Sequence, residues 1–118
     1  MNVERQLQGL AAFDQLATMV ALVDASGQCR AANSALENTL GVSRRSLQRS
    51  NVFDWLADAS ALRDNVEMVA GNQVATSRFD AQLRRPPGGD LPVHVIVSQS
   101  EIPDCVLIEL IEIEQQTR

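Results

Sequence analysis

The sequence predicts an α+β domain: a five-stranded antiparallel sheet with helices on one face and an amphipathic helix ahead of it. Three observations predict this. An apolar strand pattern comes first, joined to a short polar one by a turn at Asp24-Ala-Ser-Gly27. A central block of helical patterns follows, and three further strand patterns close the chain. Grouped strands and helices favour an antiparallel sheet, whereas βαβ units would alternate them.

Residues 3–17 (VERQLQGLAAFDQLA) carry a helical period. At ~100° per residue, Val3, Leu7, Leu10, Phe13 and Ala17 fall on one stripe roughly 120° wide. Asp14 intrudes on the stripe and Leu16 lies off it. Thr18 leads into a first strand over 19–23, and the Asp24–Gly27 turn suits the positive φ and local side-chain bonding of a tight hairpin. A short strand over 28–32 precedes Asn33, which can cap a helix closing near Gly41, and Ser34-Ala-Leu-Glu37 reads as a capping box. Ser43 opens one or two helical turns to Ser50. Residues 52–56 (VFDWL) form an apolar knot at another helix start, with Asp54 a candidate cap. Leu62, Val66, Val69 and Ala70 mark the inner face of a longer helix over 58–70, ended by Gly71-Asn72.

The last three strands follow. In 73–84, Phe79, Ala81 and Leu83 face one way, and Arg78, Asp80, Gln82 and Arg84 the other. Pro86-Pro-Gly-Gly-Asp90 is a loop. Residues 91–98 (LPVHVIVS) make the next strand, Pro103-Asp104 a turn, and 105–113 (CVLIELIEI) the last strand. On this alternation Val93, Val95 and Val97 oppose His94 and Ile96, while Val106, Ile108 and Leu110 oppose Leu107, Ile111 and Ile113. Both sheet faces are therefore substantially apolar. One can pack on the central helices, and the other needs a cover. The amphipathic helix, from this chain or a second copy, supplies it, which predicts a homodimer with Val3, Leu7, Leu10, Phe13 and Ala17 as the dimer face. The alternative is intramolecular cover in a monomer.

At 118 residues the chain is expected to form one domain with its own core, 19–114, preceded by the helix of 1–18 and followed at 115–118 by the start of a linker. No apolar run approaches the ~20 residues of a membrane span, and there is no secretory leader, so a cytoplasmic setting is expected. A net charge of −5 and no basic, aromatic-rich stretch argue against a nucleic-acid surface. Arg44, Arg45 and Arg49 read as a solvated turn or short helix rather than an anion site. Cys29 and Cys105 lack metal-ligand spacing and read as free, buried thiols in strands.

No catalytic constellation emerges. His94, the one histidine, sits within an apolar strand. Glu109, Glu112 and Glu114 read as edge or solvent charges. Gly88-Gly89 is a hairpin turn, not a phosphate loop. The chain alone is expected to be no enzyme.

Strand, turn, strand and Asn-capped helix, in the rhythm N-x-A-x-E-x-x-x-G-x-S, resemble the opening of a PAS sensor domain. Such domains detect or relay, and some hold haem or flavin. The helix of 58–70 has no histidine for haem, with Met68 the only weak candidate ligand. Gln28-Cys29-Arg30 lies on a strand, before Asn33, unlike the helical Asn-Cys-Arg of flavin photoreceptors. No cofactor is expected. Three segments, FDQLATMVALVDASGQCRAANSALENTLGVSRRSL, FDWL and DCVLIELIEIEQQTR, together resemble the N-terminal PAS domain of the NtrB family of nitrogen-regulation histidine kinases. That resemblance implies a dimeric parent kinase with the response regulator NtrC and the PII signal protein as partners. It implies no catalytic residue in this chain, which lacks a His-Glu phosphoacceptor box. A small-ligand-binding PAS sensor of another signalling protein or transcription regulator is the competing expectation.

Overall fold

The computed structural model describes residues 18–85 and 88–113. Of the predicted helix of 1–18, residues 1–17 with the stripe of Val3, Leu7, Leu10, Phe13 and Ala17 lie outside the described residues, as do Glu114 and the linker of 115–118. Elements run β1 (Met19–Asp24), β2 (Cys29–Ala32), α1 (Ser34–Leu40), α2 (Arg44–Gln48), a 3-10 turn (Val52–Asp54), α3 (Ser60–Ala70), β3 (Thr76–Leu83), β4 (Leu91–Gln99) and β5 (Cys105–Glu112). The sheet has five strands in the order β2-β1-β5-β4-β3, and each neighbouring pair is antiparallel.

The β1–β2 turn forms because Asp24 organises it. Its Oδ1 accepts from the amides of Ser26 and Gln28, each at 3.0 Å, and from the Ser26 hydroxyl at 2.6 Å. Gly27 supplies the left-handed φ of 89° that the turn requires. The register then shifts between Leu22 and Val23, which pair with Ala31 and Cys29. Arg30 is the extra residue of this bulge, and its guanidinium returns to Asp24 Oδ2 at 3.0 Å.

Helix α1 begins at Asn33 and ends at Gly41 (φ 69°), whose N–H donates to the Glu37 carbonyl. Ser43 caps α2 by accepting from the Ser46 amide at 3.1 Å. Two capping expectations fail. With Asn33 as cap, Glu37 stands one residue too late for a capping box, and its carboxylate accepts instead from the Arg44 amide at 3.1 Å and pairs with the Arg44 guanidinium. The cap of the 3-10 turn is Asn51, which accepts from the Phe53 amide, while Asp54 is the last residue of that turn. Helix α3 starts later than predicted, at Ser60, behind an Asp58 side chain that accepts from the Ser60 amide. It ends at Asn72, whose φ of 62° provides the left-handed residue that Gly71, at −84°, does not. Leu62, Val66 and Val69 are buried, but Ala70 is exposed.

One core lies between the helices and the inner sheet face. Leu36, Leu47, Leu62, Val66 and Val69 meet Ala21, Val23, Val93, Val95, Val97, Val106, Ile108 and Leu110 in a single cluster. Phe79 and Ala81 pack against it from β3, and Leu83 is part of it, as the alternation predicts. Burying side chains of this size stabilises the fold by about 1.5–3 kcal/mol each.

Candidate functional site

The one buried polar side chain among the described core residues is Asn33. It stands where β2 ends and α1 begins, beside the start of β1. Its Oδ1 accepts from the Val20 amide at 3.0 Å and from the Leu36 amide at 3.2 Å. Its Nδ2 donates to the Thr18 carbonyl at 2.7 Å, and its own amide donates to the Val20 carbonyl at 3.0 Å. A primary amide is the side chain that can accept and donate in this way. The first residues of the sheet and the first turn of the helical layer are thereby held by one group, buried where an unmade bond is costly.

The outer sheet face is built as its alternation predicts. Val20 and Leu22 on β1 and Ala31 on β2 are buried although they lie opposite the core cluster. Leu107 and Ile111 on β5 and Ile96 on β4 are half-buried. Toward β3 the face turns polar. His94 is exposed and its Nδ1 contacts Asp80 Oδ1 across the β3–β4 ladder. The sole histidine is thus in an exposed cross-strand pair. Ile96, Ile111, His94, Asp80 and Arg78 line a shallow hollow there.

The remaining candidates disperse. The strand with Glu109 and Glu112 is no edge: β5 lies at the centre of the sheet, because β1 and β4 pair on either side of it. Glu109 is half-buried on the outer face, and Glu112 is exposed. Arg44 pairs with Glu37, while Arg45 and Arg49 are exposed. Met68 is half-buried on α3. Cys29 is buried on β2 and Cys105 half-buried on β5, so only the first is the buried thiol expected, and both are free. Burial pushes the Cys29 thiol up to about 11 and raises that of Cys105 as well, which disfavours the thiolate at both and more firmly at the buried Cys29. No group of three or more His, Cys, Asp or Glu side chains among the described residues is placed to hold a metal ion. No helix among them is long and apolar enough to cross a membrane.

Sequence reasoning missed Asn51. Its Nδ2 donates to the Ser26 carbonyl at 2.9 Å while its Oδ1 accepts from Phe53, so it joins the β1–β2 turn to the 3-10 turn. A lone Asn before an apolar run gives only the capping half of that signal.

No protein-family model matches the chain, and no curated protein matches it. Solved structures do. The PAS domain of an HTR-like protein from Haloarcula marismortui superposes with a TM-score of 0.76 at 19% identity, over 93% of this chain and 98% of that one. The PAS domain of nitrogen regulation protein NR(II) from Vibrio parahaemolyticus gives 0.68 at 18% identity, over 89% and 97%. The RpfR quorum-sensing receptor PAS domain of Cronobacter turicensis, in complex with BDSF, gives 0.72 at 19%, over 85% and 97%. With a five-stranded antiparallel sheet in the order β2-β1-β5-β4-β3 and its helices packed on one face, the chain has the PAS fold.

Proposed function

We propose that this chain is the sensory PAS module of a two-component histidine kinase of the NtrB type, acting as a homodimer and performing no covalent chemistry itself. The observation that carries the reading is the Asn33 junction. One buried amide joins the residues by which the chain enters the sheet to the helical layer, so a displacement at Thr18 reaches α1 through hydrogen bonds. The likeness to the PAS domain of nitrogen regulation protein NR(II) supports the same direction, together with the segments quoted for the NtrB resemblance. In this reading the stripe of Val3, Leu7, Leu10, Phe13 and Ala17 meets a second copy, and the domain biases the kinase and phosphatase activities of its parent. NtrC and PII are the partners of that parent, in the cytoplasm.

The test is made in the full kinase. Leu7→Asp and Leu10→Asp are expected to weaken dimerisation and to change the ratio of kinase to phosphatase activity. Unchanged dimerisation and activity in both variants would sink the proposal.

A second reading has one observation in its favour: the RpfR PAS domain is solved in complexes with BDSF and with C12:0. In this reading the chain is a small-ligand sensor. Native mass spectrometry separates the two. A mass of two bare chains favours the dimeric relay, and a retained small molecule favours the ligand sensor.

A further inference from the structure

Strand β3 is one of the two edges of the sheet. Three main-chain bonds fix which of its groups face outward. The Gln82 carbonyl accepts from the Ala57 amide at 2.9 Å, and the Arg84 amide donates to the Trp55 carbonyl at 2.7 Å, both on the side away from β4. The Ala75 carbonyl accepts from the Gln99 amide at 3.0 Å, on the β4 side. Pairing with β4 is unbroken from Thr76 to Leu83, and in an antiparallel ladder alternate residues aim their N–H and C=O groups to opposite sides. Thr76, Arg78 and Asp80 therefore present N–H and C=O groups outward. Residues 55–57 cover the edge only beside 82–84, and among the described residues nothing pairs with the main chain of Thr76, Arg78 or Asp80 on that side. All three residues are exposed.

We propose that this edge pairs with the same edge of a second copy, antiparallel, about a two-fold axis at Phe79. The side chains select both partner and register. Centred on Phe79, Arg78 of each copy lies opposite Asp80 of the other, and both are residues whose main-chain groups face outward. Two such pairs make four main-chain hydrogen bonds, with Cα atoms about 5.5 Å apart and opposite charges side by side. Centring on Arg78 sets Arg78 against its own copy, and centring on Asp80 does the same for Asp80; like charges directly opposite are destabilising. Centring between two residues sets outward groups against inward ones and forms no ladder. Centring on Ala81 pairs Asp80 with Gln82, whose carbonyl already accepts from the Ala57 amide, whereas the four bonds of the Phe79 register need only residues 78 and 80 of each copy. Edge charges commonly exist to repel other strands. Here they alternate in sign about Phe79, so they disfavour the registers centred on Arg78 and Asp80, and the Phe79 register is the one that sets Arg78 opposite Asp80.

The contact is small, far below the ~800 Å² per partner of a standard interface. It therefore fills where copies are concentrated or already held close. The inference goes beyond the sensory reading and does not rest on it.

The test uses the full chain and amide hydrogen exchange followed by NMR across a concentration series. Pairing slows exchange of the Arg78 and Asp80 amides as concentration rises, and leaves Ser77 and Phe79, bonded inward to β4, unchanged. Arg78→Asp alone and Asp80→Arg alone each abolish that slowing, because every pair becomes like-charged. An equimolar mixture restores it, since one variant then carries only carboxylates at the two positions and the other only guanidinium groups, so every cross-strand pair is again of opposite charge. Both positions are exposed, so the remaining amide spectrum reports that the fold is kept. Rapid exchange at Arg78 and Asp80 at every concentration would overturn the proposal. Protection that persists in either single variant would do so too, since it would mean another register or a different strand on this edge.

Discussion

Asn33 and Val20 exchange two hydrogen bonds. The Asn33 side-chain oxygen accepts from the Val20 amide, and the Val20 carbonyl accepts from the Asn33 amide, both at 3.0 Å. Thirteen residues separate them in sequence. The β1–β2 hairpin is thus closed at its open end by a side chain as well as by its main-chain ladder.

Asn33→Ala removes both the acceptor shared by Val20 and Leu36 and the donor to Thr18, leaving buried groups without partners. The expected loss is about 2–4 kcal/mol in urea unfolding, larger than the ~1 kcal/mol of an ordinary cap. Asn33→Ser, which keeps a capping oxygen, is expected to recover only part of it. A loss below that of the serine variant would show that the junction is not the strong point described.

Two left-handed glycines separate strain from contact. A Cβ at Gly27 would meet Asn51 Oδ1 at 2.5 Å and the Phe53 ring at 2.6 Å, whereas one at Gly41 meets nothing within 4 Å. Gly41→Ala is expected to cost about 1–2 kcal/mol, the backbone penalty alone. Gly27→Ala carries that penalty and a collision, and should cost about 3 kcal/mol or more. Thermal melts of the two variants side by side check the ordering.

Asp24 makes stability depend on acid. Burial by itself raises its carboxyl, but hydrogen bonds from the Ser26 hydroxyl, the Gln28 amide, Arg30 and the Ser26 amide outweigh this and hold it below 3.8. A depressed folded value means the unfolded chain takes up the proton first. The contribution is therefore fully present above the unfolded value near 3.8 and is lost as pH falls through the folded one. Asp24→Asn should cost about 1 kcal/mol at pH 7, and its deficit should shrink as the pH is taken below the unfolded value. A deficit that grows in acid would contradict the assignment.

The thiols should differ in reactivity. With Cys29 buried and its thiol raised to about 11, a disulfide reagent at neutral pH should label Cys105 first. Cys29 should react at the rate at which the fold opens. Mass mapping of partially labelled protein reads the order.

Local chemistry made much of this fold legible. The turn bonds of Asp24 and Gly27, the capping by Asn33 and Ser43 and the helix end at Gly41 all act within four residues, so residue type and spacing expose them, whereas the bonds from Asn33 to Val20 and Thr18 do not show in the sequence. Alternation gave the inner and outer faces of β3, β4 and β5, because the side-chain period is set by the strand itself. What stayed hidden depends on distant partners. Glu37 follows Arg44 rather than its own helix start, and Asn51 needs Ser26 beside it. The central place of β5 comes from pairings with β1 and β4 that no local pattern states. The same limit hid the open edge of β3, since only the fold shows that residues 55–57 stop at Gln82.

The register of β1 against β5 carries a mechanical consequence. Met19, where β1 begins, pairs with Leu110, close to where β5 ends, and the strands run antiparallel. A pull applied at Thr18 and Ile113 therefore loads that ladder from one end, opening its bonds in succession like a zipper instead of stretching them together. The centre of the sheet is then its weakest line under tension, although it is among the best buried. Small forces between the two ends would part β1 from β5 before the β3–β4 half yields.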